Sequence, residues 1–339
     1  MTQDMQADWP VRQLMVHRAE NLRVVHGVNE GEPLADAAEL LPEDVYELSD
    51  DARPRPLALA QVPGGAFAVG ARTDAGTPGA KICLDSLVTF MSADGSTVEA
   101  VILVELEPGT DLIAAVHVHP FAPMMPKVPY TLVTIDRDGA RARLAESATV
   151  SFTRGTRITM ADGRQVPVED LAPGDRVLTR DSGPQEVRWT GMQTVRAEGD
   201  FAPIRIRAGA LHNMGDLVVS PNHRLFIYQR ISALGAGQRD LLVRAGLLVN
   251  GTSVTRTPGG FVDYVQVLFD HHEIIYAEGI AAESLFADPA TRGALPDAIA
   301  RELDARPLRD AVQGAFELRE SDLLARGDAV EVLRRISAN

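Results

Sequence analysis

The chain has 339 residues, 45% of them hydrophobic and 24% charged, which is room for two packed domains with their own cores. A net charge of −14 argues against nucleic acid or an anionic membrane surface as partner, because both bind through Lys and Arg. A single cysteine, Cys83, excludes an intrachain disulfide and a cysteine-based metal site, and no apolar run approaches the ~20 residues that span a bilayer.

Residues 1 to about 30 read as weakly ordered, and the polar stretch from Met1 to Leu22 lacks the apolar core of a secretory signal. The default address is therefore cytoplasmic, with export that needs no cleaved signal as the alternative. A short helix is expected around Leu34–Leu41, followed by β-type runs at Leu57–Ala60 and Ala66–Val69. The clearest pair is Leu87–Met91 and Val98–Val104, joined through Ala93-Asp94-Gly95-Ser96, since Asp-Gly accepts the positive φ that a hairpin turn requires. Ile113–His119 and Tyr130–Ile135 complete a small antiparallel β domain over residues 1–150. His117 and His119 share one strand face, as two metal ligands do, but no third ligand accompanies them and ordinary packing is the stronger reading.

From Ser151 the chain is again strand-rich, with runs at Glu186–Trp189, Ile204–Arg207, Asp216–Val219, Leu225–Tyr228, Leu241–Ala245 and Val262–Phe269. Short strands with frequent turns predict a barrel or folded-over β structure. After Pro289 the pattern becomes helical, with candidates at Leu295–Leu303 and Ala329–Ile336.

Three polar clusters carry the chemistry: Ser151, Ser220-Pro221-Asn222-His223 and Asp270-His271-His272-Glu273. A serine hydroxyl can attack the carbonyl before it through a five-membered ring, exchanging the Val150–Ser151 amide for an ester in an intramolecular step. A histidine such as His223 is suited to protonate the departing nitrogen. The residues also permit an ordinary strand-loop-strand histidine, a weak metal set of Asp270, His271 and His272, and a Ser–His–Asp hydrolase acting on outside substrates. The hydrolase lacks a Gly-x-Ser-x-Gly nucleophile elbow.

Five ordered segments resemble the Hedgehog/intein (Hint) domain in its bacterial form, over roughly residues 148–287. They are Ser151–Thr156, Val166–Asp175, Ile204–Ala210, Leu217–Arg224, and Leu268–Gly279 continuing through Glu283-Ser284-Leu285. The resemblance implies a horseshoe-like all-β fold and self-catalysed acyl shifts that end in cleavage, ligation or splicing. It sets Ser151 at the nucleophile position, where the family usually has cysteine. Serine there fits equally a natural oxygen variant and a replacement that traps the precursor. Ser220 and His223 match the family's Thr-x-x-His element, and Asp270 and His272 fall in its later segment, where an acid or histidine controls the nucleophile. Gln266 stands where related bacterial sequences commonly have histidine. The His-Asn junction used for C-terminal cleavage is missing, so full splicing is not expected.

The sequence therefore predicts a mainly β protein: a passenger domain (1–150), a Hint domain (151–287) and a helical extension (288–339). Its substrate would be its own N-terminal domain, with an external nucleophile as the second partner and no cofactor. The rival reading is an inactive Hint scaffold serving as a structural or binding module.

Overall fold

A computed structural model of the chain describes residues 11–62, 65–228, 240–285, 291, 294–305 and 316–317. The chain divides into two compact units, residues 1–146 with 292–294, and residues 147–291 with 295–339. Both are β structures.

In the first unit nine strands form one sheet: β1 (Val11–Arg18), β2 (Leu22–His26), β3 (Val45–Leu48), β4 (Arg55–Gln61), β5 (Phe67–Val69), β6 (Lys81–Ser92), β7 (Thr97–Leu106), β8 (Ile113–Pro120) and β9 (Tyr130–Asp136). Their order is β2-β3-β9-β6-β5-β4-β1-β8-β7, and β7 pairs back onto β6. Six strands thus close into a ring, which removes the free edges that an open sheet exposes. The twelve-residue β6 makes this closure: Lys81 and Ile82 pair with β5, Leu87–Ser92 pair with β9, and its other side pairs with β7.

The β6–β7 hairpin turns at Ala93–Ser96, with Gly95 at φ 82°, a conformation that L side chains rarely adopt. Tyr46 and Phe90 meet edge-to-face at 5.7 Å in the core. Two expectations fail here. Residues 11–26 are ordered strands: Leu14, Val16 and His17 are buried in β1, while Arg12 and Arg18 keep that strand's sequence polar. Residues 34–41 form turns rather than a helix, with Leu34 and Leu40 buried and the Asp36 carboxylate accepting from the Ala38 N–H.

One helix absent from the sequence reading, α1 (Ala140–Ala148), carries the chain up to the second unit. There the strands are β10 (Phe152–Thr153), β11 (Arg157–Thr159), β12 (Gln165–Pro167), β13 (Arg176–Leu178), β14 (Pro184–Glu186), β15 (Trp189–Arg196), β16 (Ile204–Ile206), β17 (Leu217–Val219), β18 (Arg224–Tyr228), β19 (Asp240–Arg244), β20 (Val254–Arg256), β21 (Phe261–Leu268), β22 (Ile274–Ala277) and β23 (Ile280–Glu283). They are followed by helix α2 (Asp297–Ala305) and the short β24 (Phe316–Glu317). Strands β15-β21-β10-β17-β16-β20 make one sheet and β12-β11-β22-β23-β18-β19-β24 another, with β13-β14 as a separate hairpin. The core draws from both large sheets, for example Phe152, Val219 and Val265 from one and Ile158, Leu225 and Ile275 from the other. Arg205 is exposed between buried Ile204 and Ile206, which is the one-wet-face alternation expected of that strand.

Helix α2 occupies the first helical candidate; the second, Ala329–Ile336, lies outside the described residues. Among the described residues no helix is long and apolar enough to cross a membrane.

Phe90 is fully buried while its neighbour Met91 is 40% exposed. Phe90→Ala should therefore cost ~3–5 kcal/mol of stability, whereas Met91→Ala should stay within roughly 0.5 kcal/mol. Urea unfolding of the two variants checks the pairing register, because a one-residue slip of β6 would exchange their effects.

Candidate functional site

The site follows from the register of a two-residue strand. Phe152 in β10 faces Val219 of β17 on one side and Val265 of β21 on the other. In antiparallel pairing the residue before Phe152 must then lie beside the residues after Val219 and Val265, so Ser151 sits between Ser220 and Gln266. Ser220 N–H donates to the Ser151 carbonyl at 2.9 Å, which continues the β10–β17 ladder by one residue.

Two of the three polar clusters lie where the chain leaves the six-stranded sheet for the seven-stranded one: Ser220–His223 links β17 to β18 and Phe269–Glu273 links β21 to β22. Ser151 stands just before β10, where the chain enters the six-stranded sheet. A tight turn shapes the Ser220–His223 link, with His223 N–H bonded to the Ser220 carbonyl at 3.0 Å. Gly246 packs against this turn: a Cβ there would stand 3.1 Å from the Pro221 carbonyl oxygen, whose hydrogen-bond donor is the Gly246 N–H at 2.9 Å.

The Val150–Ser151 peptide is surrounded by hydrogen bonds. The Ser220 hydroxyl accepts from Ser151 N–H at 3.1 Å and donates to the Thr149 carbonyl at 3.1 Å. Gln266 donates from Nε2 to the Thr149 hydroxyl at 3.2 Å, and Asn222 donates from Nδ2 to the Ser147 carbonyl at 2.7 Å. His223 Nδ1 lies 3.1 Å from the Ser151 carbonyl oxygen, and its ring packs on Phe152 with centroids 4.4 Å apart. A carbonyl only accepts, so the Nδ1 atom carries the proton in this contact. Ser151 is 2% exposed and His223 fully buried.

Burial pushes the His223 imidazole below its ordinary value, and this outweighs the opposing pull of the Glu283 carboxylate and of the Ser151 and Glu283 backbone. The neutral ring is the resting form. Glu283 is also fully buried: burial drives its carboxyl upward, but Arg224 and His272 outweigh that and hold it below its usual value. Arg224 Nε lies 2.7 Å from Glu283 Oε1, its backbone N–H donates to the same oxygen at 3.2 Å, and His272 Nε2 is 3.2 Å from Oε2.

Ser151, Ser220 and His223 are thus in mutual contact through backbone and side chain. His272 makes its contact with Glu283. Asp270, 44% exposed at its side chain, lies 3.6 Å from Arg188 Nη1. The Ser151 nitrogen is in contact with the Ser220 hydroxyl, and the His223 ring is on the carbonyl side of Ser151. Glu283 and Thr149 were not singled out as site residues in the sequence. A buried Glu in an apolar strand pattern, Ile280-Ala281-Ala282-Glu283, was the signal available for the first.

His117 and His119 are held separately: His117 Nε2 meets Glu105 at 2.8 Å and His119 Nδ1 meets the Met15 carbonyl at 2.9 Å. Among the described residues no group of three or more His, Cys, Asp or Glu is arranged to hold a metal ion.

Residues 150–289 match the model of the Hint domain family, and this part of the chain is a Hint domain. Among solved structures, the gp41-1 intein aligns at 12% identity and TM-score 0.25, over 39% of this chain and 97% of its own. A DnaB intein from Synechocystis sp. PCC 6803 aligns at 13% and 0.28, over 40% and 98%. A bacterial intein-like domain from Clostridium thermocellum aligns at 15% and 0.27, over 40% and 97%. The class rests on the family match rather than on these superpositions. Comparison with curated proteins gives no match. The chemistry of the Hint class is self-processing, directed in cis at the adjoining domain.

A histidine whose folded-state pKa lies below its unfolded value of 6.5 takes up its proton more readily once unfolded. Stability is then lost as pH falls below about 6.5. The Glu283 contribution follows the same sign but is lost lower, as pH falls through 4.5 and below. Urea midpoints measured between pH 7 and 5 should decline in the parent chain and decline less in His223→Gln. The slope that remains includes His17, which burial shifts in the same direction.

Proposed function

We propose that this chain is a self-processing protein in which Ser151 attacks the Val150 carbonyl and residues 1–150 are released or transferred. The observation that carries the reading is the Ser220 hydroxyl, bonded at 3.1 Å to the Ser151 N–H and at 3.1 Å to the Thr149 carbonyl. It contacts the nitrogen that must leave and holds the residue on the far side of Val150.

In the shift, the Ser151 Oγ–C bond forms and the Val150 C–N bond breaks. The hydroxyl proton leaves Oγ and ends on the Ser151 nitrogen, so the exchange of amide for ester consumes none. The Ser220 hydroxyl is hydrogen-bonded to that nitrogen at 3.1 Å. Once the nitrogen becomes pyramidal it can accept from Ser220, which then takes up the proton given by Ser151. His223, neutral and bonded to the Ser151 carbonyl, fixes the residue and shields it from water. Water then hydrolyses the ester to a Val150 carboxylate and the Ser151 hydroxyl, on a residue whose amine the shift has already freed, or another nucleophile takes the acyl group.

Intramolecular attack supplies the proximity term. The oxygen nucleophile is the weak point, because a cysteine is already a few per cent thiolate near neutrality and a serine is almost wholly un-ionised. Asp270 and His272 belong to this reading as groups acting on the nucleophile through the later segment, His272 through its contact with Glu283.

The second reading is a Hint scaffold that no longer reacts. What favours it is the 2% exposure of Ser151, which an external nucleophile reaches only after the site opens. The same burial counts against a hydrolase acting on outside substrates, which needs an open pocket beside the serine.

The intact protein incubated with a thiol should break between Val150 and Ser151, slowly as it stands and roughly tenfold or more faster as Ser151→Cys. Ser151→Ala should stay whole, and Ser220→Ala in the Ser151→Cys background should slow cleavage by about 10²-fold. Intact mass at successive times reads all four. If Ser151→Cys is also stable to thiol, the scaffold reading replaces this one.

A further inference from the structure

Val150, whose carbonyl would be attacked, is 9% exposed. It belongs to an apolar cluster with Leu268, Leu285, Leu295 and Leu303, against which Trp189 and Ile299 pack. Trp189, Leu268 and Leu285 lie within the Hint match, whereas Leu295, Ile299 and Leu303 lie beyond its end at residue 289. Leu295 precedes α2, and Ile299 and Leu303 lie one turn apart on the same face of α2, while Ala298 and Arg301 are exposed.

We propose that the Leu295–Leu303 segment forms a pocket for the side chain of the residue preceding the nucleophile. The C-terminal extension would then determine which residue is accepted at position 150 and hold its carbonyl in register for attack. This deepens the self-processing reading and rests on it. Thr149 and Ser151 are both tied to Ser220, so the backbone on either side of Val150 is fixed by polar bonds. The Val150 side chain is fixed by hydrocarbon, and its β-branched Cβ has few rotamers to escape into. Together they restrict rotation of the Val150 carbonyl, which belongs to the peptide whose N–H Ser220 holds.

Removing a pocket wall frees that carbonyl, and a displacement of ~1 Å at a reacting atom can cost ~10²-fold in rate. The members of the cluster supply only apolar side chains apart from the Trp189 ring. A carboxylate at position 150 would therefore be buried with no partner among the described members of the cluster, and the pocket selects for aliphatic residues.

The test uses the full chain as Ser151→Cys, with thiol-induced cleavage followed by mass. Val150→Ala and Leu303→Ala should each slow cleavage by roughly ten- to a hundredfold. The double variant should be little slower than the worse single one, because both remove the same contact. Ala298→Ser, on the exposed side of α2, should cleave at the parent rate. Ile299→Val, a smaller truncation, serves if Leu303→Ala does not fold. Cleavage that proceeds at the parent rate, or faster, in the folded Leu303 or Ile299 variant overturns the pocket while leaving self-processing intact. No cleavage in Ser151→Cys itself overturns both.

Discussion

The Ser220 hydroxyl makes one hydrogen bond on each side of residue 150, and the candidate site depends on that pair of bonds. It accepts from Ser151 N–H and donates to the Thr149 carbonyl, so a single side chain spans the peptide that the self-processing reading would break. Both bonds are buried, where an unmet polar group costs about 1–3 kcal/mol. The arrangement therefore holds the chain entering the second unit against the β17–β18 turn. Replacing Ser220 with alanine would leave both the Ser151 N–H and the Thr149 carbonyl without this hydroxyl as partner.

What places Ser220 there is sheet registry. β10 is only two residues long, yet it pairs on both sides, and the β17 pairing continues through the Ser151 carbonyl. Strand pairing tolerates no one-residue slip without reversing inward and outward faces, so the contact is specified by the fold as a whole. The second layer of the site is electrostatic. Glu283 is buried with Arg224 and His272 around it, and its charge opposes the burial that keeps His223 neutral. A fully buried carboxylate is tolerated only with such partners.

Much of this was legible in the chain. Asp94-Gly95 announced its hairpin because the turn demands a positive φ, and Ile204-Arg205-Ile206 announced a half-wet strand. The Ser151, Ser220 and His223 cluster was legible through the Hint resemblance more than through local pattern, since Ser-Pro-Asn-His alone reads as an ordinary turn. Residues 11–26 do not announce themselves as strands because the buried Leu14 and Val16 of β1 are set among Arg12, Gln13, the buried His17 and Arg18, which lowers its apparent hydrophobicity. Helix α1 was missed because Ala140–Ala148 has little apolar asymmetry to give it away. Glu283 could not be read as part of a network, because Arg224 lies fifty-nine positions earlier and only the β18–β23 pairing brings them together. The link between α2 and Val150 was invisible for the same reason: the apolar spacing shows a helix face but not what it covers.

The central claim is that the bond before Ser151 interconverts between amide and ester, and hydroxylamine tests it most directly because it captures the ester without requiring a natural acceptor. Tandem mass spectrometry of the treated intact chain should find a fragment ending in a Val150 hydroxamate and a second beginning with a free Ser151 amine. Recovery of only the intact chain, from the parent and from Ser151→Cys alike, would contradict the account.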